Sequence, residues 1–426
     1  MTHLTINPPR GGFRAVAEVP GDKSLSHRAL ILAAMADGES RIVGLGPGAD
    51  VAATQEVLGA VGVEVADGVV ASPGVGGWTA PSGELDCGNS GTTLRLRAGA
   101  LAGRPFSSIL TGDASLRARP MRRLVAPLTA LGASVILSDD DTAPVEVAAP
   151  APLAGADVTL ELASAQVRTA FALAALQAAG PSTIDSPAGF RDHTERWLET
   201  MGLGTRLEAT TFRINPGPVP AIDYEIPGDP SSAAYLWAAA AISRGSEVTT
   251  PGTVLNPGRI GFLQILESFG AVIEADVTGS MLGDAVGTVT VRGHGLFAAE
   301  VSGPLAVSAL DELPLVAVLG ALGEGVTVVR DARELRAKES DRIESTVNMI
   351  RSLGGGAEPT EDGFAVVGTG WLESGTVASE GDHRIAMSAA VAATGATGPV
   401  TIEDAEVAAV SWPGFYEQLE AVWSSQ

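Results

Sequence analysis

Cysteine occurs once, at Cys87, so no internal disulfide framework is available and the chain suits a reducing compartment, the cytoplasm. No run of about 18 apolar residues occurs, which leaves nothing able to span a membrane as a helix. Met1-Thr2-His3-Leu4-Thr5 has neither a basic start nor an apolar core, and no secretory signal is expected there. Positive charge is also scarce. Lys and Arg together number 27 against 50 Asp and Glu, for a formal net charge of −23. Nucleic acid and anionic membranes need a basic surface, so neither is an expected partner. Lysine is the rarest cation. Of the 27 basic residues only Lys23 and Lys338 are lysines and the remaining 25 are arginines. A chain that uses arginine almost everywhere has kept a compact, deprotonatable ammonium at two places.

What remains is a globular composition, 45% hydrophobic and 18% charged, over 426 residues. That length exceeds a single core and predicts two domains. Internal repeats support this. A small-residue helix running to a glycine and followed by a β-branched strand recurs at Leu30–Gly38, Leu96–Gly103, Ala170–Gly180, Ala234–Gly245, Leu313–Gly325 and Met387–Gly398. The period is about 71 residues. A second, amphipathic helix interleaves with it at Gln55–Gly62, Leu124–Gly132, Trp197–Gly202, Phe262–Gly270, Val347–Gly354 and Phe415–Trp423. Each unit is expected to hold two helices and several short strands. Six units are too many for one core, so two bodies of three are expected. The hinge falls at Pro227-Gly228-Asp229-Pro230, with a matching crossing near Pro20-Gly21. One body then runs over 21–226, and the other takes 1–20 together with 227–426.

The entries to the first-type helices carry the chemistry. Gly88-Asn89-Ser90-Gly91-Thr92-Thr93-Leu94-Arg95 offers a capping residue at Asn89 or Ser90, a bare backbone at Gly91, and Thr92 and Arg95 on one helical face. The other entries are Gly21-Asp22-Lys23-Ser24, Ala163-Ser164-Ala165-Gln166, Gly228-Asp229-Pro230-Ser231-Ser232, Leu310-Asp311-Glu312 and Gly381-Asp382-His383-Arg384. All six are expected to begin with a cap. If they converge, their positive dipole ends favour an anion, each by roughly 0.3–1 kcal/mol.

Several stretches together resemble one family. They are Pro20-Gly21-Asp22-Lys23-Ser24-Leu25-Ser26-His27-Arg28-Ala29-Leu30, Gly88–Arg95, Arg119-Pro120-Met121, Arg336-Ala337-Lys338-Glu339-Ser340-Asp341-Arg342 and Asp382-His383-Arg384-Ile385-Ala386-Met387. The resemblance is to the 5-enolpyruvylshikimate-3-phosphate synthases and runs in register from Pro20 to Phe415-Tyr416-Glu417-Gln418-Leu419. It implies an α/β fold of two domains, each an inside-out α/β barrel of three βαβαββ repeats, with the active site in the cleft between them. It implies transfer of the enolpyruvyl group of phosphoenolpyruvate to the 5-hydroxyl of shikimate 3-phosphate, with release of phosphate and neither metal nor organic cofactor. The partners are then two small anions, and the protein is expected to act as a monomer.

Residue by residue, the resemblance gives Asp311 the hydroxyl proton, Glu339 a role at C3, and Lys23 a bridge between the substrates' charges that could also donate a proton. Two acid–base groups suit a reaction that moves protons at two places. Shikimate 3-phosphate would be held by Lys23, Ser24, Arg28, Ser164, Ala165, Gln166, Arg191, Asp311 and Lys338. Phosphoenolpyruvate would be held by Lys23, Asn89, Gly91, Arg119, Gln166, Arg342 and Arg384, whose guanidinium forks fit carboxylate and phosphate oxygens. His383 is either a proton shuttle or a packed ring. Asp311 could instead cap a helix, and Glu339 could simply pair with Arg336 or Arg342; Glu312 reads as an uninvolved neighbour. With cations drawn from both bodies, each body is expected to repel itself until anions arrive and then to close.

The chain departs from the family in places. Ala409-Val410-Ser411-Trp412-Pro413 stands where some members have a lysine that contacts phosphoenolpyruvate. Ala165 replaces a second serine, and Glu334 an asparagine. Gly91 is the form the resemblance associates with glyphosate sensitivity. Transfer to UDP-N-acetylglucosamine is the nearest alternative, but that family carries a cysteine or aspartate on the loop matching Leu110–Arg117, and no cysteine lies there. A phosphometabolite-binding repeat protein without catalysis would leave Asp311 and Glu339 unexplained. An RNA-end cyclase would need the basic surface that is missing.

Overall fold

The computed structural model describes residues 3–425, which separate into two compact units. The N-unit is Gly21–Ile226 with Ser280–Asp284. The C-unit is the chain up to Pro20, Pro227–Gly279, and the chain from Ala285.

Each unit carries three small sheets among the described residues. In the N-unit, Leu85–Asp86 runs parallel to Ser108–Thr111 in the register Leu85↔Leu110. Ser108–Thr111 pairs antiparallel with Val145–Ala148, which pairs antiparallel with Ser134–Ile136. Asp157–Thr159, Ser182–Asp185, Phe212–Ile214 and Gly204–Arg206 repeat that order. The third N-unit sheet takes its parallel strand from the end of the segment, where Asp223–Glu225 lies beside Asp37–Val43. In the C-unit, Glu300–Val301 opens the sheet completed by Glu324–Val329, Phe364–Thr369 and Gly356–Pro359. Arg14–Val16 runs beside Glu247–Val254, and His3–Ile6 pairs antiparallel with Val400–Glu403.

A buried helix leads into one strand of each parallel pair. The N-unit has Lys23–Met35, Gly91–Leu101 and Ala165–Ala175, and the C-unit Pro230–Ile242, Leu313–Leu322 and His383–Ala392. Their small apolar residues let sheet and helix approach from every side, so all ten residues of Leu313–Leu322 are buried. At Gly99 a Cβ would come within 2.1 Å of the Ala170 carbonyl oxygen, so only glycine lets these two N-unit helices touch. The partner helices are amphipathic, His193–Thr200 burying Trp197 and Leu198, and Gly261–Ser268 burying Phe262, Ile265 and Leu266. The latter ends in the left-handed Gly270, φ 97°, a conformation glycine adopts without Cβ strain.

Two local expectations change. The buried helices stop short of their glycines: Lys23–Met35 and Leu313–Leu322 end before Gly38 and Gly325, which open the following strands with φ of 113° and 107°. The capping pattern holds at five entries, where Asp22, Ser90, Ser164, Asp229 and Asp382 accept from a backbone N–H of the first turn. At the sixth, Leu310–Glu312 forms a 3-10 turn and no side chain caps Leu313–Leu322. Pro314 in its first turn removes one of the donors a cap would serve. Asp311 is therefore not a helix cap. Among the described residues no helix is long and apolar enough to cross a membrane.

The N-unit core contains an anomaly. Arg97 is fully buried, its three side-chain nitrogens find no hydrogen-bond acceptor among the described residues, and its guanidinium lies over the Trp78 ring at 4.7 Å. Burial pushes it down to about 10, with the nearby Cys87 acting the other way. Cys87 is itself buried and pushed up to about 12, first by burial, so it is an inert thiol. An unsatisfied buried cation costs stability, and Arg97→Met is expected to raise the unfolding free energy by about 1 kcal/mol or more. Urea denaturation checks this; a lower midpoint for the variant would show that the ring contact outweighs the desolvation.

Candidate active site

The N-unit gathers one set of predicted residues around the starts of its three buried helices. Lys23, first in its helix, donates from Nζ to Asp50 Oδ2 at 2.9 Å. One turn on, His27 is buried against Thr54, Nδ1 to Oγ1 2.7 Å, and burial pushes it down to about 3, so it packs as a neutral ring. Arg28 is buried, donating from Nε to Thr194 Oγ1 at 2.8 Å, from Nη2 to Thr169 Oγ1 at 3.1 Å, and from Nη1 to the Ser24 carbonyl at 2.9 Å. Ser164 caps the helix that Ala165 begins. Gln166 ties this helix to its neighbour: Nε2 donates to Thr92 Oγ1 at 2.9 Å, and Oε1 accepts from Arg95 at 2.8 Å. Thr92 and Arg95 thus share a face and a partner. Asn89 accepts from Arg119 Nη2 at 2.5 Å and donates to Asp113 at 2.7 Å. Arg191 sits in the loop before His193–Thr200, half-exposed.

The C-unit gathers the other set. Arg342, 1% exposed, is a hub for three carboxylates. Its Nε donates to Asp382 Oδ2 at 2.7 Å, Nη1 to Asp311 Oδ1 at 3.2 Å, and Nη2 to Glu339 Oε2 at 2.5 Å. Burial alone would push this guanidinium down; Asp382, Glu339 and Asp311 outweigh it and hold it above its ordinary range. Lys338 Nζ donates to the same Asp311 oxygen at 3.2 Å. Asp382 also caps His383–Ala392, accepting from the Arg384 N–H at 2.8 Å. His383 is buried as the first residue of that helix. Arg384 lies 3.8 Å from Glu312. Arg336 turns away from Glu339 to Asp341, 2.7 Å. Among the described residues no group of three or more His, Cys, Asp or Glu side chains is placed to hold a metal ion.

Two carboxylates with one buried guanidinium and an ammonium beside them can manage protons on a bound anion. Comparison with known proteins agrees in kind. The sequence profile described as EPSP synthase (3-phosphoshikimate 1-carboxyvinyltransferase) matches residues 10–419. The chain belongs to the EPSP synthase family. A 3-phosphoshikimate 1-carboxyvinyltransferase of Chloroflexus aurantiacus is 45% identical, over 99% of this chain and 99% of its own. One from Halorhodospira halophila is 45% identical over 96% of this chain and 94% of its own. Among solved structures, EPSP synthase from Acinetobacter baumannii superposes with a TM-score of 0.87 at 34% identity, covering 99% of this chain and 98% of that one. The enolpyruvyl transferase NikO from Streptomyces tendae, at 19% identity and a TM-score of 0.76 over 99% and 97% of the two chains, shares the fold. The mixed α/β architecture is thus that of the EPSP synthases.

Within that family frame, two expectations need correction. The units do not lack negative charge at their cations. Lys23 is paired with Asp50, Lys338 with Asp311, and Arg342 with three carboxylates, so self-repulsion awaiting anions is not the state of either unit. Glu312 is no bystander, being 2% exposed and facing Arg384. Reasoning from sequence also missed Asp50, Asp382 as a ligand of Arg342, and Tyr235, whose hydroxyl accepts from Arg384 at 3.5 Å. Asp50 stands in the first turn of Ala49–Gly59, where an acidic residue is ordinary, so nothing local marks it.

Proposed function

We propose that this chain transfers the enolpyruvyl group of phosphoenolpyruvate to the 5-hydroxyl of shikimate 3-phosphate and releases phosphate. The observation that supports this most is the C-unit cluster, where Asp311 and Glu339 accept from the two terminal nitrogens of Arg342 and Lys338 donates to Asp311. Asp311 takes the hydroxyl proton as the oxygen attacks C2. Glu339 and Lys23 serve the proton that moves onto C3 and off again as the C2–O bond to phosphate breaks. The proton returned from C3 restores the vinyl group, so the sequence is balanced without a further reactant.

Lys23, Ser24, Arg28, Ser164, Gln166, Arg191, Asp311 and Lys338 hold shikimate 3-phosphate, with Ala165 contributing backbone only. Lys23, Asn89, Gly91, Gln166, Arg119, Arg342 and Arg384 hold phosphoenolpyruvate, and His383 is a packed ring. Each unit is a three-repeat inside-out α/β barrel. The test is phosphate release by purified protein with phosphoenolpyruvate and either acceptor. Turnover is expected with shikimate 3-phosphate and none with UDP-N-acetylglucosamine; the reverse pattern would falsify the assignment.

Gly91 gives a sharper prediction. A Cβ there would lie 2.7 Å from Arg95 Nη1, so that guanidinium must shift, and 3.5 Å from Arg119 Nη1, an ordinary contact that fills the space beside it. Gly91→Ala is expected to raise the KM for phosphoenolpyruvate about tenfold, with that for shikimate 3-phosphate little changed. Steady-state kinetics with each substrate varied decides it, and an unchanged phosphoenolpyruvate KM counts against the placement of Gly91 beside this substrate.

A further inference from the structure

Arg384 and Arg342 are both buried in the C-unit, yet they are held in opposite ways. Arg342 gives Nε, Nη1 and Nη2 to carboxylates, at 2.5–3.3 Å. Arg384 is 6% exposed, and among the described residues its hydrogen bonds and ion pair run through Nη1. Nη1 reaches the Ser231 carbonyl and the Tyr235 hydroxyl, each at 3.5 Å, and Glu312 Oε1 at 3.8 Å. Among the described residues nothing accepts from its Nε or Nη2. Those two nitrogens form the side-on fork of a guanidinium, the edge that fits two oxygens of one anion. The two 3.5 Å contacts are at the outer limit of hydrogen bonding, and Glu312 at 3.8 Å is an ion pair beyond it. They orient the group without closing its donors. The ring of Tyr235 lies under the guanidinium at 5.9 Å and is itself fixed edge-on by Phe415, 5.4 Å between centroids. Glu312 and Tyr235 are 2% and 1% exposed, which makes this a desolvated wall where a carboxylate acts more strongly than on a surface.

We infer that Glu312 and Tyr235 are positioning residues for Arg384: they hold its Nη1 edge from behind and so present the Nε–Nη2 fork to the phosphoenolpyruvate anion. The inference rests on the reaction proposed above. It goes beyond that reading because neither residue touches substrate in it. Glu312 lies next to Asp311 in one turn, so a single short segment, Leu310–Glu312, turns one carboxylate towards Lys338 and Arg342 and the next towards Arg384.

Glu312→Gln keeps the side chain's size and removes its charge; Tyr235→Phe removes one hydroxyl. The first is expected to raise the KM for phosphoenolpyruvate about tenfold and the second about threefold, with kcat within threefold and the KM for shikimate 3-phosphate within twofold of the parent. A purely structural role would instead lower thermal stability and move both KM values together. If Glu312→Gln fails to fold, Tyr235→Phe decides alone. The inference is overturned if the phosphoenolpyruvate KM stays within twofold in every variant that folds, or if both KM values rise equally. Should the parent turn over nothing, the reaction itself is misread. The positioning role is then read from calorimetric binding of inorganic phosphate: weaker binding in the variants upholds it, and equal binding overturns it.

Discussion

Asp311→Asn is expected to lower kcat by about 10³-fold while leaving the KM for shikimate 3-phosphate within about threefold. The 3-10 turn Leu310–Glu312 fixes the backbone of Asp311, and Lys338 Nζ and Arg342 Nη1 both donate to its Oδ1 at 3.2 Å. Two cationic donors on one oxygen hold the carboxylate in one place. Asparagine has the same shape and can accept from the same two donors, so the substrate pocket should survive. It cannot take a proton. Phosphate release followed at saturating substrates separates the two effects. A fall in kcat below tenfold would move the base elsewhere, with Glu339 the next candidate.

Arg342→Met is expected to cost about 3–5 kcal/mol of stability, because it strands carboxylates that the guanidinium now compensates. Asp382 is the worst placed of them: it is fully buried and anchors His383–Ala392. Burial pushes its carboxyl upward, and Arg342 outweighs that and holds it below the usual carboxylate value. A depressed carboxyl contributes stability above its unfolded value, near pH 4, and loses that contribution as the pH falls through the folded value. Without Arg342 the largest lowering influence is gone, burial and Glu339 push the folded value up, and protonation then relieves the variant. The gap in stability between parent and variant should therefore narrow as the pH is lowered from about 7 towards 4. Urea titrations across that range measure it, and a gap independent of pH would show that lost packing rather than stranded charge sets the cost.

Much of this was legible in the sequence because it is local. Small-residue helices, their caps at Asp22, Ser90, Ser164, Asp229 and Asp382, and the two isolated lysines depend on near neighbours in the chain. The sixth entry misled because a 3-10 turn and Pro314 replace the cap, and the same letters fit either arrangement. Strands of two to four residues such as Leu85–Asp86 and Arg14–Val16 carry no usable periodicity. Their pairings, Arg14–Val16 beside Glu247–Val254 for instance, join segments far apart in the chain. The hidden parts of the site are of that kind. Asp50 meets Lys23, Thr194 meets Arg28, and Tyr235 and Glu312 meet Arg384 only through tertiary packing. No spacing rule links those positions.

The proposal assigns Arg119 and Arg384 each to phosphoenolpyruvate. Lysine at either site keeps the charge and loses the planar fork, so Arg119→Lys and Arg384→Lys isolate bidentate binding from electrostatic attraction. The deciding measurement is the KM for phosphoenolpyruvate in each, at saturating shikimate 3-phosphate. A rise of at least about tenfold in both is expected. A normal value in either one would mean that this arginine does not hold the substrate.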